Sequence, residues 1–115
     1  MFELTNHKKL YTKLRDSWRI VTQLGFFNYK TYLVHQLSPN TKIYRSCYVC
    51  DYAKRHSQND NNLCRYCPLE VDSCDKTGSM FSRILKSIEI GDRETYVRIC
   101  DEVINSEVKA GVITT

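Results

Sequence analysis

Five of the six cysteines lie in one stretch of the chain, from Cys47 to Cys74. Two Cys-x-x-Cys pairs stand inside this stretch, Cys47 with Cys50 and Cys64 with Cys67. Two thiols at this spacing reach one ion from a tight turn, and the intervening chain is long enough to bring both pairs to one tetrahedral centre. The stretch therefore predicts a core built on a metal ion, and it constrains the fold more than any other part of the chain.

The predicted ligands are Cys47, Cys50, Cys64 and Cys67, and the predicted cofactor is Zn²⁺ in a structural role. Thiolates are soft ligands that zinc prefers, and a closed four-ligand site leaves no open position for a reacting water. Cys74 or His56 can replace one of the four ligands, and both alternatives stay open. Four cysteines also suit an iron–sulfur cluster, and a disulfide framework is a third interpretation.

The N-terminal residues favour a metal over disulfides. They carry scattered lysines and arginines and contain no apolar run, so they predict neither a signal peptide nor a membrane span. We therefore expect a cytoplasmic protein without a membrane partner. Thiols remain reduced in the cytosol, which favours a bound metal.

Composition favours helices. The chain has 115 residues, of which 42% are apolar, and contains only two prolines and four glycines. We expect a mainly α fold, a small single-domain helical protein built around the four-cysteine zinc-binding segment. Residues 1–46 form its N-terminal helical part, residues 47–74 the zinc-binding segment and residues 75–115 a C-terminal helical hairpin.

The spacing of apolar residues places the elements before the second cysteine pair. It predicts an amphipathic helix from Thr5 to about Gln23, which Gly25 stops, and a short helix from about Asn28 to Leu37. An extended segment at 41–46 and a helical turn at 51–56 follow. The run 57–62 is polar throughout and predicts an exposed loop.

Two apolar stripes follow the cysteines. One runs from Phe81 to Ile88 and the other from Tyr96 to Ile104, and Gly91-Asp92 between them offers a helix stop followed by a cap. Residues 108–115 show little pattern, and we expect them to fray.

Positive charge is concentrated in the first half of the chain. Residues 1–56 contain ten Lys and Arg against three Asp and Glu, whereas residues 57–115 contain seven against ten. The basic half suits phosphate or an acidic protein surface, and a merely solvated helix face is the alternative. The predicted binding residues are Lys8, Lys9, Lys13, Arg15, Arg19, Lys54 and Arg55, with nearby tyrosines stacking on bases.

No catalytic constellation stands out in the sequence. His7 and His35 are isolated, and the His-x-Glu and Pro-Cys-x-x-Cys pattern of zinc deaminases is absent. Glycine-rich phosphate loops are also missing. We therefore expect neither an enzyme nor a small-molecule substrate.

The cysteine segments resemble those of a family of small bacteriophage and bacterial mobile-element proteins. The shared features are Cys47-x-x-Cys50 followed by Tyr52-Ala53, Cys64-x-x-Cys67 followed by Pro68-Leu69, the later Cys74, and a preceding helix with Leu4-Thr5, His7-Lys8 and Trp18. The match covers residues 4–18 and 47–74. Glu70-Val71 departs from the family, where a tryptophan is expected nearby. Asp51 and Pro68 also stand where zinc ribbons usually have glycine.

The resemblance implies a phage-like origin in a host bacterial cytoplasm and a zinc-stabilised fold, without an established activity. Small phage proteins that lack an enzyme site often act by binding a host machine. The first hypothesis is therefore a protein that binds and inhibits a host protein or nucleoprotein, such as a CRISPR-type defence complex. The alternative is a zinc-containing DNA- or RNA-binding protein that uses its basic N-terminal half.

Overall fold

Helices form most of the chain that the computed structural model describes, which comprises residues 1–57, 66–70 and 80–115. The α-helices are α1 at Leu4–Asp16, α2 at Phe26–Leu37, α3 at Tyr48–His56, α4 at Met80–Ile90 and α5 at Arg93–Ile104. A 3-10 turn at Tyr44–Ser46 stands where the sequence predicted an extended segment. Cys64, Cys74 and the predicted polar loop beyond Ser57 lie outside the described residues.

α1 ends at Asp16, earlier than the predicted Gln23, because Ser17 forms hydrogen bonds with the last carbonyls of the helix. The Ser17 backbone N–H donates to the carbonyls of Lys13 and Leu14 at 3.1 and 3.3 Å. Its hydroxyl donates to the Lys13 carbonyl at 2.7 Å and shares a 2.7 Å hydrogen bond with the Tyr29 hydroxyl. Such local bonds compete with further helix. Gly25 does not stop α1 and instead immediately precedes α2.

The core forms where α1 meets the C-terminal hairpin. α1 makes its most extensive contacts with α5, and α4 packs along α5. Leu10 and Leu14 face inward from α1, and Ile99, Cys100 and Val103 face inward from α5. The Tyr96 hydroxyl also donates to the Leu14 carbonyl, which ties the two helices together. The predicted hairpin is therefore confirmed, and Cys100 lies buried in its core.

α2 and α3 complete the globule against α1. α2 buries Phe26, Lys30, Leu33 and Val34, which recur at helical spacing along one face. The short 3-10 turn connects α2 to α3 and contains two residues in the left-handed region, Arg45 at φ 55° and Ser46 at φ 50°. This conformation is uncommon for residues other than glycine, so the chain enters Cys47 through a constrained turn.

The C-terminal tail is paired rather than frayed, contrary to the prediction. Phe2 forms a parallel bridge with Thr114, and its N–H donates to the Ile113 carbonyl at 2.7 Å. Leu69 forms an antiparallel bridge with Val108. Both pairings are long-range, and a local apolar pattern does not report them. The two ends of the chain are thus joined in the fold.

The described residues form a mainly helical globule, which confirms that part of the fold class. The Cα radius of gyration is 13.6 Å, close to the value of about 13 Å expected for a compact chain of this size. Isolated bridges take the place of strands in the described part of the chain. Within the same residues, no helix has the length and apolar character needed to cross a membrane.

Candidate functional site

The first cysteine pair lies at the N-terminus of α3. Cys47 occupies the N-cap position with extended backbone, and its Sγ accepts a hydrogen bond from the Cys50 backbone N–H at 3.2 Å. Both thiols are buried, and neither forms a disulfide. A helix N-terminus favours negative charge because its backbone N–H groups point outward. The turn therefore suits the thiolate form that a metal requires.

The surroundings of Cys47 stabilise its thiolate. The hydrogen bond from the Cys50 side chain, helped by the charge of Lys30 and by backbone N–H groups, lowers the pKa of Cys47 from 9.0 to about 6, against the opposing effect of burial. Lys30 is itself only 4% exposed. Its ammonium lies 5.9 Å from the centre of the Tyr11 ring, which supplies a favourable aromatic face. A buried positive charge thus accompanies the first cysteine pair.

Sequence reasoning missed Lys30 as a neighbour of the cysteine pair, although a signal was present. Lys30 stands at an apolar position of the α2 period, between Phe26 and Leu33. A lysine is almost never fully buried unless its charge is compensated. A lysine in an apolar helical stripe therefore points to a nearby group that carries negative charge.

Cys67 from the second pair is also buried and belongs to the same apolar cluster as Cys47 and Cys50. Its neighbours Pro68 and Leu69 are anchored, because the Pro68 carbonyl accepts a 2.8 Å hydrogen bond from the Lys109 N–H. The described residues contain no group of three or more His, Cys, Asp and Glu side chains arranged to hold a metal ion. Cys64 and Cys74 lie outside those residues.

His56, the alternative ligand, lies at the opposite end of α3 from the first cysteine pair. At about 1.5 Å of rise per residue, six residues separate it from Cys50 by roughly 9 Å along the axis. Its side chain is exposed, and its ring packs against Tyr52 with the ring centres 4.1 Å apart. The structure therefore does not bring His56 to the cysteine pair.

Asp51 ties the cysteine turn to the preceding chain. One carboxylate oxygen accepts from the Tyr44 N–H at 2.9 Å, and the other accepts from Arg55 Nε at 2.7 Å. Asp51 is buried, whereas Arg55 is exposed. The bond to Tyr44 holds the 3-10 turn in place, and hence the entry into Cys47.

Two of the seven predicted basic residues are occupied by ion pairs. Arg15 donates to Asp101 of α5 at 2.8 Å and to its neighbour Asp16 at 3.1 Å. These bonds raise the pKa of Arg15, with the Asp101 bond as the main cause. Arg55 pairs with Asp51 one helical turn away. Both arginines therefore hold elements of the fold together.

The other five predicted basic residues are exposed. They are Lys8, Lys9, Lys13, Arg19 and Lys54. Among the described ranges, none of them forms an ion pair. Two of them lie beside aromatic rings, since the Lys54 ammonium is 5.7 Å from the centre of Tyr44 and the Arg19 guanidinium is 5.1 Å from that of Trp18. Their charge is thus available to an external partner.

The isolated histidines differ in their surroundings. His7 is buried between the rings of Phe2 and Tyr11, at centre-to-centre distances of 5.5 and 5.1 Å. Neither ring nitrogen of His7 has a hydrogen-bond partner within the described structure. His35 is exposed on α2.

Comparison with protein-family models, with curated proteins and with solved structures finds no match to this chain.

Proposed function

We propose that this protein is a zinc-stabilised, non-enzymatic binding protein whose exposed cations contact the phosphates of DNA or RNA. The observation that carries the proposal is the set of five exposed lysine and arginine side chains without ion pairs in the described structure. Unpaired surface cations attract the phosphate backbone, because binding releases the counterions condensed on it.

The chemistry of the cysteine turn supports the zinc part of the proposal. Cys47, Cys50 and Cys67 are buried and form no disulfide, and the first of them has a pKa lowered to about 6. These residues, with Cys64, would hold the ion. When bound, zinc supplies a structural cross-link between the two pairs, and its binding energy is folding energy.

Metal removal tests the zinc proposal. We expect one zinc per chain by elemental analysis, and loss of the helical circular dichroism spectrum on chelation or in Cys64→Ser, since site formation contributes on the order of 10 kcal/mol. Cys100→Ala is the matched control. Cys100 is a core thiol on α5 outside the predicted ligand set, so this variant should keep its zinc. An unchanged spectrum and melting temperature after complete metal removal would contradict the proposal. Visible absorption with iron content would point to a cluster instead.

Salt dependence tests the nucleic-acid proposal. We expect an oligonucleotide to bind with an affinity that falls steeply as salt rises, because each phosphate contact adds about 0.7 to 0.9 to the slope of log K against log salt. The double variant Lys9→Gln with Lys13→Gln should reduce that slope by between about one and two. The control, Arg15→Gln with Arg55→Gln, removes the same charge from side chains already paired and should change the slope less. No affinity for DNA or RNA at low salt would overturn the proposal.

A protein partner is the second candidate, and an exposed apolar segment favours it. Leu24 is 93% exposed, Ile20 70% and Phe27 49%, all within the turn after α1 and the start of α2. Clustered exposed apolar side chains are typical of protein contact sites. On this proposal the protein, of phage-like origin, inhibits a host protein or nucleoprotein such as a CRISPR-type defence complex.

Affinity capture from bacterial lysate tests the second candidate. We expect a specific partner to be retained by the wild type and lost with Leu24→Ser. Ile113→Ser is the control, because Ile113 is an exposed apolar residue whose carbonyl binds Phe2, at the opposite end of α1 from this segment. A partner retained equally by Leu24→Ser, or no partner at all, would count against the candidate.

A further inference from the structure

A cleft of about 220 Å³ lies between the segment after α1 and the α4–α5 hairpin. Trp18, Arg19 and Val21 line it from one side, and Ile88, Asp92 and Arg93 are among the residues that line it from the other. Its volume is below the roughly 300 to 1,000 Å³ of pockets for whole small molecules. The cleft therefore has room for one flat group, with an attached phosphate at its exposed rim, rather than for a complete cofactor.

Two arginines meet at the indole of Trp18. The Arg93 guanidinium carbon lies 3.9 Å from the centre of the Trp18 ring, and that of Arg19 lies 5.1 Å away. Both arginines are exposed, and neither side chain has an ion pair or a hydrogen bond in the described part of the chain. A guanidinium stacked by its face on an aromatic ring keeps its N–H edges free for a phosphate, in a geometry that is already ordered.

Asp92 is the acidic group of the cleft, and its carboxylate is already engaged. One oxygen accepts from the Thr95 N–H at 3.1 Å, and the other accepts from the Thr95 hydroxyl at 2.6 Å. These bonds lower the pKa of Asp92 and hold its charge at the N-terminus of α5. Two guanidinium groups against one capped carboxylate leave the cleft positively charged.

We infer that the cleft binds one nucleotide of a single-stranded nucleic acid, with its phosphate on Arg19 and Arg93 and its base against the apolar wall formed by Trp18, Val21 and Ile88. This inference rests on the nucleic-acid function proposed above and adds a preference for single strands over duplexes. A base is free to contact such a wall only when it is unpaired, because duplex bases are stacked inside the helix. Aromatic platforms flanked by cations are a recurrent means of binding single strands.

Trp18 provides a direct readout, because it is the only tryptophan in the chain. A labelled single-stranded oligonucleotide of about 12 nucleotides should bind and quench the tryptophan emission of the zinc-loaded protein, and the matching duplex should quench it less. Arg93→Gln should weaken binding about tenfold, the usual effect of losing charged hydrogen bonds, and lower the salt slope by about one contact. Arg19→Gln should act in the same direction.

Lys42→Gln is the control, since Lys42 is exposed ahead of the 3-10 turn, outside the cleft lining, and its loss removes the same charge. A nucleoside monophosphate should compete for the cleft better than inorganic phosphate, and equal competition would overturn the base contact. Two outcomes would overturn the proposed binding in the cleft while leaving the proposed function standing. One is binding that leaves the Trp18 emission unchanged, and the other is binding that is unaltered in both Arg93→Gln and Arg19→Gln. Absence of any oligonucleotide binding at low salt would overturn both.

Discussion

His7 is a buried histidine without a hydrogen-bond partner for either ring nitrogen in the described structure. It is 2% exposed, and the charges of Lys30 and Lys8 oppose its protonation, whereas the nearby Val103 backbone favours it. Burial, followed by the charge of Lys30, lowers the pKa of His7 from 6.5 to about 4. The neutral imidazole is therefore the form that the fold accepts, and protonation favours the unfolded chain.

The pH dependence of stability should report this histidine. Above pH 6.5 His7 is neutral in both the folded and the unfolded protein, so it causes no loss in the free energy of unfolding. As the pH falls from 6.5 towards 4, the unfolded state takes up a proton that the folded state refuses, so His7 should contribute a loss of about 3 kcal/mol in the free energy of unfolding. Urea unfolding across this range, compared between wild type and His7→Leu, measures that contribution.

The exposed His35 gives the control for this prediction. His35→Gln should keep the pH profile of the wild type, whereas His7→Leu should flatten the profile between pH 6.5 and 4. The same slope in wild type and His7→Leu would show that His7 does not carry the effect.

Some residues of the candidate site could be predicted from the sequence, and others could not. Cys47 and Cys50 are recognisable as candidate ligands from their spacing, because the two thiols are close together in sequence. Lys30 was missed as their companion because its electrostatic effect on Cys47 crosses from α2 to the start of α3. Arg93 was not among the predicted basic residues, because nothing in its own segment indicates its contact with Trp18, which is far away in sequence.

The α4–α5 hairpin turns on Gly91, whose φ of 72° lies in the left-handed region. Its N–H donates to the Ile88 carbonyl at 3.2 Å, and the Asp92 N–H donates to the Ser87 carbonyl at 2.9 Å. These bonds satisfy carbonyls at the end of α4 just before Asp92 caps α5. The glycine is therefore needed for its backbone conformation.

Substitution of Gly91 should separate conformation from packing. A Cβ at this position would meet no atom within 4 Å, so Gly91→Ala should lose about 1 to 2 kcal/mol in the free energy of unfolding through backbone strain alone. Gly91→Asn should lose less, because asparagine tolerates the left-handed region better. Chemical denaturation of the three proteins measures both values, and an alanine variant as stable as the wild type would contradict the prediction.

Helices were more predictable than their ends. Apolar spacing correctly indicated α1, α2, α4 and α5, because a buried helical face leaves a periodic trace. The predicted end of α1 was wrong because Ser17 forms hydrogen bonds back to Lys13 and across to Tyr29. A hydrogen bond between distant segments leaves no pattern in the sequence of either segment. The 3-10 turn was missed for a similar reason, since Asp51 holds it from α3.

Across the whole molecule, the two chain ends stabilise one another. Phe2 is fully buried in the core and bridges Thr114, and the Thr115 N–H donates back to the Phe2 carbonyl at 3.1 Å. The Thr5 hydroxyl also donates to the Thr115 carbonyl at 2.8 Å. The tail therefore covers the start of α1.

Loss of the Phe2 ring should be strongly destabilising. Phe2→Ala is expected to lose about 3 to 5 kcal/mol in the free energy of unfolding, because it leaves a cavity in a packed core. Phe27→Ala removes the same ring from a half-exposed position and should lose much less. Urea unfolding of both variants gives the comparison. Equal losses would show that Phe2 does not anchor the core.

The cysteine spacing, the helical stripes and the uneven charge could all be read from the chain, because each depends on residues close together in sequence. They yielded the mainly helical class, the candidate thiol ligands and the basic residues open to a partner. The fold itself selected which cations remain available, since Arg15 is paired with Asp101 of another helix. It also buried Lys30 near Cys47, joined Phe2 to Thr114 and brought Arg93 onto Trp18. These are contacts between distant segments, and their free energy depends on packing that no local pattern encodes.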